Sequence, residues 1–398
     1  MGYGRFTMST EKSARRPRGE DRRRQLTAAA AALFFERGYP HVSVADIARR
    51  AGVSTPTVYR YFDDKQALLF AATQDCVAAF ERGTDEALDG ADDQSAALID
   101  AAAALSGAQP QVTSLWRWSG QHLTTEQNRE VVARTREVLR RWAGAIAQQR
   151  PDLTQRESTY LAGAILSVTG SISGRSLRVD QDIAESTLRQ LIRRLISLTP
   201  SAAPPIPELP ADLFATPGRR DEILDAAARL FADQGFAGTG MDEIGAAVGI
   251  TGPSVYKHFP SKESILIAIG QRSALRLEAG ALAAAATSPE PRGQLDLLVD
   301  SYVQSISGAP DLSVSFQSRF VLAGNPQAIE LIAGQRRYVA RWIELIRCLE
   351  PETDEQAVSL TVHAALAIVN DAVRMPRSTP RPEFAARMAY LMKGLLHA

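Results

Sequence analysis

The sequence predicts an all-α protein made of two related units, each a small N-terminal head followed by a larger helical body. Three observations predict it. Alanine-rich runs such as Ala28 to Ala32, Ala101 to Ala104 and Ala283 to Ala286 favour helix, and no alternating Val/Ile/Thr segment suggests a sheet. A pattern of two short helices around a glycine, Ser43 to Lys65, recurs at Gly240 to Lys262 with a constant offset of 197 residues. The 398 residues leave room for about two to four domains with substantial cores.

Residues 1–20 are rich in Gly, Arg and Ser and read as a flexible basic arm. Lys12, Arg15, Arg16 and Arg18 suit contact with phosphates or a minor groove, against a solvated tail that touches nothing. Asp21 to Gly38 is the first expected helix, with Leu26, Ala29, Ala30, Leu33 and Phe34 as its buried stripe. Val44, Ile47, Ala48 and Ala51 then give a second, short helix a narrow apolar face. Gly52 supplies the turn, since a residue without Cβ takes positive φ freely. Ser54 suits the N-cap of a third helix with Pro56 in its first turn, and Val58 and Phe62 point it inward. Thr55, Thr57, Tyr59, Arg60 and Tyr61 are left facing other directions. Two short helices joined this way, with hydroxyls and a cation on the second, make a helix-turn-helix. A plain helical hairpin is the blander alternative.

The repetition argues against that alternative. Leu33-Phe34 returns as Leu230-Phe231, Gly38-Tyr39 as Gly235-Phe236, and Gly52-Val53-Ser54 as Gly249-Ile250-Thr251. Pro56-Thr57-Val58-Tyr59-Arg60-Tyr61-Phe62 returns as Pro253-Ser254-Val255-Tyr256-Lys257-His258-Phe259. On these residues the chain resembles the tetracycline-repressor (TetR) family of bacterial regulators, twice over. The resemblance implies two TetR-like units in tandem, related by pseudo-twofold symmetry, each with a three-helix DNA-binding domain and a helical ligand-binding and dimerisation domain. The expected division is 1–20 arm, 21–66 first helix-turn-helix domain, 67–199 first body, 200–217 Pro-rich linker, 218–263 second helix-turn-helix domain and 264–398 second body.

Chemistry and resemblance together suggest roles. Tyr59, Tyr61, Lys65, Tyr256, His258 and Lys262 would contact phosphates. Thr55, Thr57, Arg60, Ser254 and Lys257 would reach base edges. Ser43, Ser54, Thr239 and Thr251 belong to the same DNA-facing set as helix starts, Thr239 standing in for Gly240 at the position of Ser43. The two copies differ in charge. Residues 1–66 hold 13 Lys/Arg against 7 Asp/Glu, a net of +6; residues 217–263 hold 5 against 7, a net of −2. Phosphate neutralisation supplies much of DNA affinity, so the first copy is expected to bind more strongly. The alternative is a degenerate second copy that serves dimerisation or protein interaction.

In the bodies the correspondence continues at an offset of 200: Arg141-Trp142 matches Arg341-Trp342, and Ser158 to Ser171 matches Val358 to Asp371. Gly163, Ser167, Gly170 and Gly174 place small residues on one helix face, which admits a close neighbour. Leu188, Leu191, Ile192 and Leu195 give the next helix an apolar stripe, repeated by Phe384, Met388, Leu391 and Leu395. The resemblance implies a four-helix interface, here formed within one chain as an intramolecular pseudo-dimer, with further pairing of chains left open. The linker carries Pro200, Pro204, Pro205, Pro207, Pro210 and Pro217 and reads as an extended, semi-rigid spacer.

An effector pocket needs aromatic walls and a few polar groups. Trp116, Trp118 and His122, with neighbouring Arg117 and with Tyr160, are candidates in the first body. Phe316, Phe320, His363 and Asn370, with Arg319, are their candidates in the second. A mostly apolar effector suits them better than a charged one, and ordinary core packing is the competing explanation. Catalysis and resident cofactors are not indicated: the five histidines are scattered, and there is no His-Glu-x-x-His, Cys-x-x-Cys, Gly-rich phosphate loop or Gly-x-Ser-x-Gly. Cys76 and Cys348 lie far apart and read as reduced. With no signal segment and no apolar run of membrane length, a cytoplasmic regulator of transcription is expected, most often a repressor, with double-stranded operator DNA and a small molecule as partners.

Overall fold

The computed structural model describes residues 19–172, 179–206, 218–308, 311, 314, 326–374 and 381–397. Among these every regular element is helical. The first head comprises α1 (Gly19–Arg37), α2 (Val44–Arg50) and α3 (Thr55–Tyr59). Its body comprises α4 (Lys65–Leu88), α5 (Gln94–Ala108), α6 (Pro110–Ser114), α7 (Trp116–Ser119), α8 (Thr125–Gln149), α9 (Gln155–Thr169) and α10 (Gln181–Ser197). The second head is α11 (Arg219–Gly238), α12 (Met241–Ala247) and α13 (Gly252–Val255). Its body is α14 (Lys262–Thr287), α15 (Pro291–Gly308), α16 (Pro326–Leu349), α17 (Glu355–Ala372) and α18 (Arg381–Leu396).

Local chemistry explains the first head. Leu26, Ala30, Leu33 and Phe34 of α1 are buried, and Gly38 at φ 79° turns the chain away. Ser43 caps α2 in both directions: its hydroxyl accepts from the Asp46 amide at 3.1 Å, and its own amide donates to the Asp46 carboxylate at 3.0 Å. The Ser43 hydroxyl, then its amide, hold the Asp46 carboxyl at about 2. Gly52 sits at φ 64° between α2 and α3. Val58 and Phe62 are buried as expected. Ser54 occupies the N-cap of α3 without capping it by its side chain; its hydroxyl pairs with that of Thr57 at 2.8 Å.

Helix α4 begins in the head, capped by Asp64, and continues into the body against α5 and α8. The Trp142 indole donates to Thr84 at 3.2 Å and its ring lies 6.1 Å from Phe80. In the second body Ala281 stands where the first has Thr84, and Tyr302, Tyr338 and Trp342 form a buried aromatic cluster with ring centroids 5.7–6.3 Å apart. Both tryptophans are packing anchors.

The bodies meet through α9, α10, α17 and α18. Leu188, Leu191, Leu195, Leu391, Met392 and Leu395 are essentially inaccessible there. Each such side chain contributes about 1.5–3 kcal/mol. One apolar core runs through the first head and both bodies; the second head has a separate core around Ile223, Phe231, Val255 and Phe259.

Two expectations change. Gly163 does not face the other body, its nearest neighbour being Leu139 of α8. Gly174, with Pro207, Pro210 and Pro217, lies outside the described residues, as does the basic arm Lys12, Arg15, Arg16 and Arg18. The linker does not open as an extended spacer: Pro200–Ala202 is a 3-10 turn, with the Ser201 amide donating to the buried Glu157 carboxylate at 3.1 Å. Burial would raise the Glu157 pKa, but hydrogen bonds from Ser201 and Thr154 outweigh it and hold it at about 2. No described helix is long and apolar enough to cross a membrane.

Because Ser43 satisfies amides at both ends of one turn, Ser43→Ala should cost about 1 kcal/mol. Thermal unfolding should show a lower Tm, and Gly240→Ser in the matched position should raise it by a smaller amount.

Candidate nucleic-acid interface

The two heads hold their exposed side chains by the same means. Val58 and Phe62 anchor the end of the first motif, and Val255 and Phe259 anchor the second. Arg23 lies over Phe62 at 4.5 Å and donates to the Tyr61 carbonyl at 3.2 Å. Arg220 lies over Phe259 at 4.0 Å and donates to the His258 carbonyl at 2.7 Å. These clamps fix the chain carrying Tyr59 and Tyr256, which remain 53% and 54% exposed. Arg60 and Lys257 are exposed beside them, while Thr55, Thr57, Tyr61, Ser254 and His258 are half-buried. Thr251 and Ser254 join hydroxyls at 2.9 Å, repeating the Ser54–Thr57 pair.

Three expected contacts are placed differently. Lys65 turns inward, donating to the Tyr39 carbonyl at 3.1 Å and lying 4.3 Å from the Tyr39 ring centre. Burial lowers its pKa. Lys262 does the same in the second head, binding the carbonyls of Phe236 and Thr239 at 2.7 Å each. Both ammonium groups close the glycine-aromatic turn after the head's first helix. The repeated 26-residue spacing from Tyr39 to Lys65 and from Phe236 to Lys262 was the available signal. Thr239 is buried, its hydroxyl donating to the Gly235 carbonyl at 3.0 Å, so it neither caps α12 nor faces outward; Gly240 is the cap residue.

The heads also differ. At the start of α13, Gly252 replaces Thr55, and an added Cβ there would lie 1.8 Å from Asp242 Oδ1. An exposed carboxylate therefore leans over the second recognition helix where the first head has the methyl of Ala45.

The effector candidates among the described residues contact protein neighbours. Trp116 donates its indole N–H to the Thr113 carbonyl at 2.7 Å. Trp118 meets His122 edge-on at 6.3 Å, and His122 stacks on Tyr39 of the head at 4.5 Å. Gln66 of α4 donates to the His122 carbonyl at 2.9 Å, so this cluster joins head to body. Tyr160 lies under Arg387 of the other body at 5.2 Å. His363 Nδ1 is 2.8 Å from the Ser359 carbonyl, and Asn370 accepts from the Tyr302 hydroxyl at 2.8 Å. Phe316, Arg319 and Phe320 lie outside the described residues. A half-open cleft of about 370 Å³ lies between the first head and its body, lined by Arg23, Tyr61, Phe62, Phe70, Gln74 and Asp75 among others. No group of three His, Cys, Asp or Glu side chains among the described residues could hold a metal ion.

Fold and site define a protein with two helix-turn-helix heads. Both match the family described as bacterial regulatory proteins, tetR family, at residues 26–72 and 223–269. The chain thus carries two stretches of this family's kind in tandem. It is 35% identical over 88 residues to the transcriptional activator FasR of Mycolicibacterium smegmatis, covering 22% of this chain and 40% of that one. Over 71 residues it is 38% identical to the regulator HbdR of an Aromatoleum strain, covering 18% and 31%. The matched part is thus well under half the length of these relatives. A similar solved structure is KstR2 of Mycobacterium tuberculosis, at 23% identity and TM-score 0.41, covering 46% of this chain and 95% of that one.

His122 supplies a pH test. Burial, then the charge of Lys65, lowers its pKa from 6.5 to about 4. Between those values the unfolded chain binds a proton that the folded chain does not, so stability falls as pH drops through this window. At full effect the loss is about 3 kcal/mol. His122→Phe, which keeps the stack, should flatten denaturation midpoints between pH 6.5 and 4; an unchanged slope would dismiss the assignment.

Proposed function

We propose that the chain is a DNA-binding transcriptional regulator whose two heads enter successive major grooves of one operator. The observation that carries this reading is the exposed Tyr59–Arg60 and Tyr256–Lys257 pairs, each held at the end of a short helix by a buried Val/Phe anchor and an arginine clamp. Tyr59, Tyr61, Tyr256 and His258 act on phosphates, while Thr55, Thr57, Arg60, Ser254 and Lys257 face bases. Ser43, Ser54 and Thr251 set the helix starts that aim them. Lys65 and Lys262 contribute mainly by shaping the turn. Successive grooves require the heads to stand roughly 34–36 Å apart.

By occupying an operator the protein acts as a repressor. A small, mostly apolar effector, held by the bodies or in the cleft beside α4, releases it by favouring another head separation. The domain division runs as the sequence suggests, with residues 200–202 joined to the first body. The net charges of +6 and −2, with Asp242 over the second recognition helix, favour a division of labour in which the first head supplies most of the affinity.

Gel shifts on the chain's own upstream DNA over a range of salt test this. Binding should weaken steeply with salt. Arg60→Ala should cost about 1–3 kcal/mol, Lys257→Ala less, and Asp242→Ala should tighten binding. Salt-independent binding, or equal losses from the two heads, would count against it.

A further inference from the structure

The side chains that meet across the contact between the bodies are not the same on the two sides. Arg117, in α7, sends Nε to Asp371 Oδ2 at 2.7 Å and Nη2 to Oδ1 at 3.0 Å. Its Nη1 donates to the Gly170 carbonyl. The two charged side chains are only 14% and 4% exposed. The 200-residue correspondence places Gly170-Ser171 on Asn370-Asp371, so the first half has a hydroxyl where the second has the acid. The glycine matters as well: a Cβ added at Gly170 would lie 2.6 Å from Arg117 Cδ and 2.8 Å from the Thr113 carbonyl oxygen.

Other pairs repeat the asymmetry. Tyr160 faces Arg387, where the matched residue in the first half is Thr187. Leu198 packs onto Gly394, where the matched residue is Arg194, and a Cβ at Gly394 would lie 2.5 Å from a Leu198 methyl carbon. Arg194 in turn donates to the Leu395 carbonyl of the other half at 3.1 Å.

We propose that this surface is a heterologous lock: the first half fits the second half and rejects another first half, and Arg117–Asp371 is the pair that specifies it. A guanidinium removed from water is tolerated when its counter-ion comes with it, and in a first-with-first pairing Arg117 meets Ser171. Tyr160 meets Thr187 and Leu198 meets the long side chain of Arg194 in the same pairing. Chains therefore cannot associate side by side through matched halves, and each chain satisfies its own lock. This inference concerns assembly alone and stands whether or not the heads bind DNA.

Light scattering and urea unfolding of the 398-residue chain test it. The expected mass is that of one chain, 43.1 kDa, at every concentration, with the bodies unfolding together. Arg117→Met and Asp371→Leu should each lower the urea midpoint or split the transition. The double variant Arg117→Met/Asp371→Leu, which also takes from Arg374 the carboxylate 3.6 Å away, should still lose less than the two singles combined, a coupling of about tenfold in the folding equilibrium constant. If either single variant fails to fold, a folded double variant still supports the lock. A wild-type species of twice 43.1 kDa, or purely additive losses, would overturn it.

Discussion

The packing of α9 and α10 against α17 and α18 is the contact on which the rest of the molecule depends. Neither body closes its apolar faces alone: Leu188, Leu191 and Leu195 on one side and Leu391, Met392 and Leu395 on the other are shielded because the four helices meet. The burial is non-directional and supplies most of the free energy. Direction comes from the few polar groups that must be partnered inside it. Arg117, Asp371 and the Gly170 carbonyl make such a set, since an unpaired charge there would cost far more than a misplaced methyl group.

From that contact the geometry passes outward along α4 and α14, each running unbroken from a head into a body. The two heads are tied down differently. In the first, His122 of the body stacks on Tyr39 of the head, beside the Lys65 ammonium. In the second, Arg272 of α14 bridges Asp225 of the head's first helix at 2.7 Å and Asp311 at 2.7 Å and 2.9 Å. A stacked neutral imidazole and a charged cluster respond differently to pH and salt, so duplication of the fold has not meant duplication of the coupling.

Much of the candidate site was legible because its chemistry is local. Gly52 and Gly249 need positive φ, Val58 and Phe62 are one turn apart, and Tyr59 is left outside by elimination; all of this follows from helical periodicity over a few residues. The same reasoning erred where a side chain's partner is distant. Lys65 looked like a phosphate contact, yet its ammonium is turned back by a carbonyl 26 residues earlier. Thr239 looked like a cap, but is buried beneath the turn that Lys262 closes. Among the aromatic effector candidates, Trp118 meets His122, His122 meets Tyr39 of the head and Tyr160 meets Arg387 of the other body, contacts that helical spacing does not show.

The sequence by itself determined the helical class, the duplication and the anchoring of each short recognition helix, because these depend on period, glycine placement and internal repetition. Only the tertiary structure decided what the cations and aromatics do. Arg117 reaches Asp371 across 254 residues of chain, and Tyr160 lies beneath Arg387 of the other half. No spacing rule connects positions so far apart, because what brings them together is the shape of the two bodies once their apolar faces are shut.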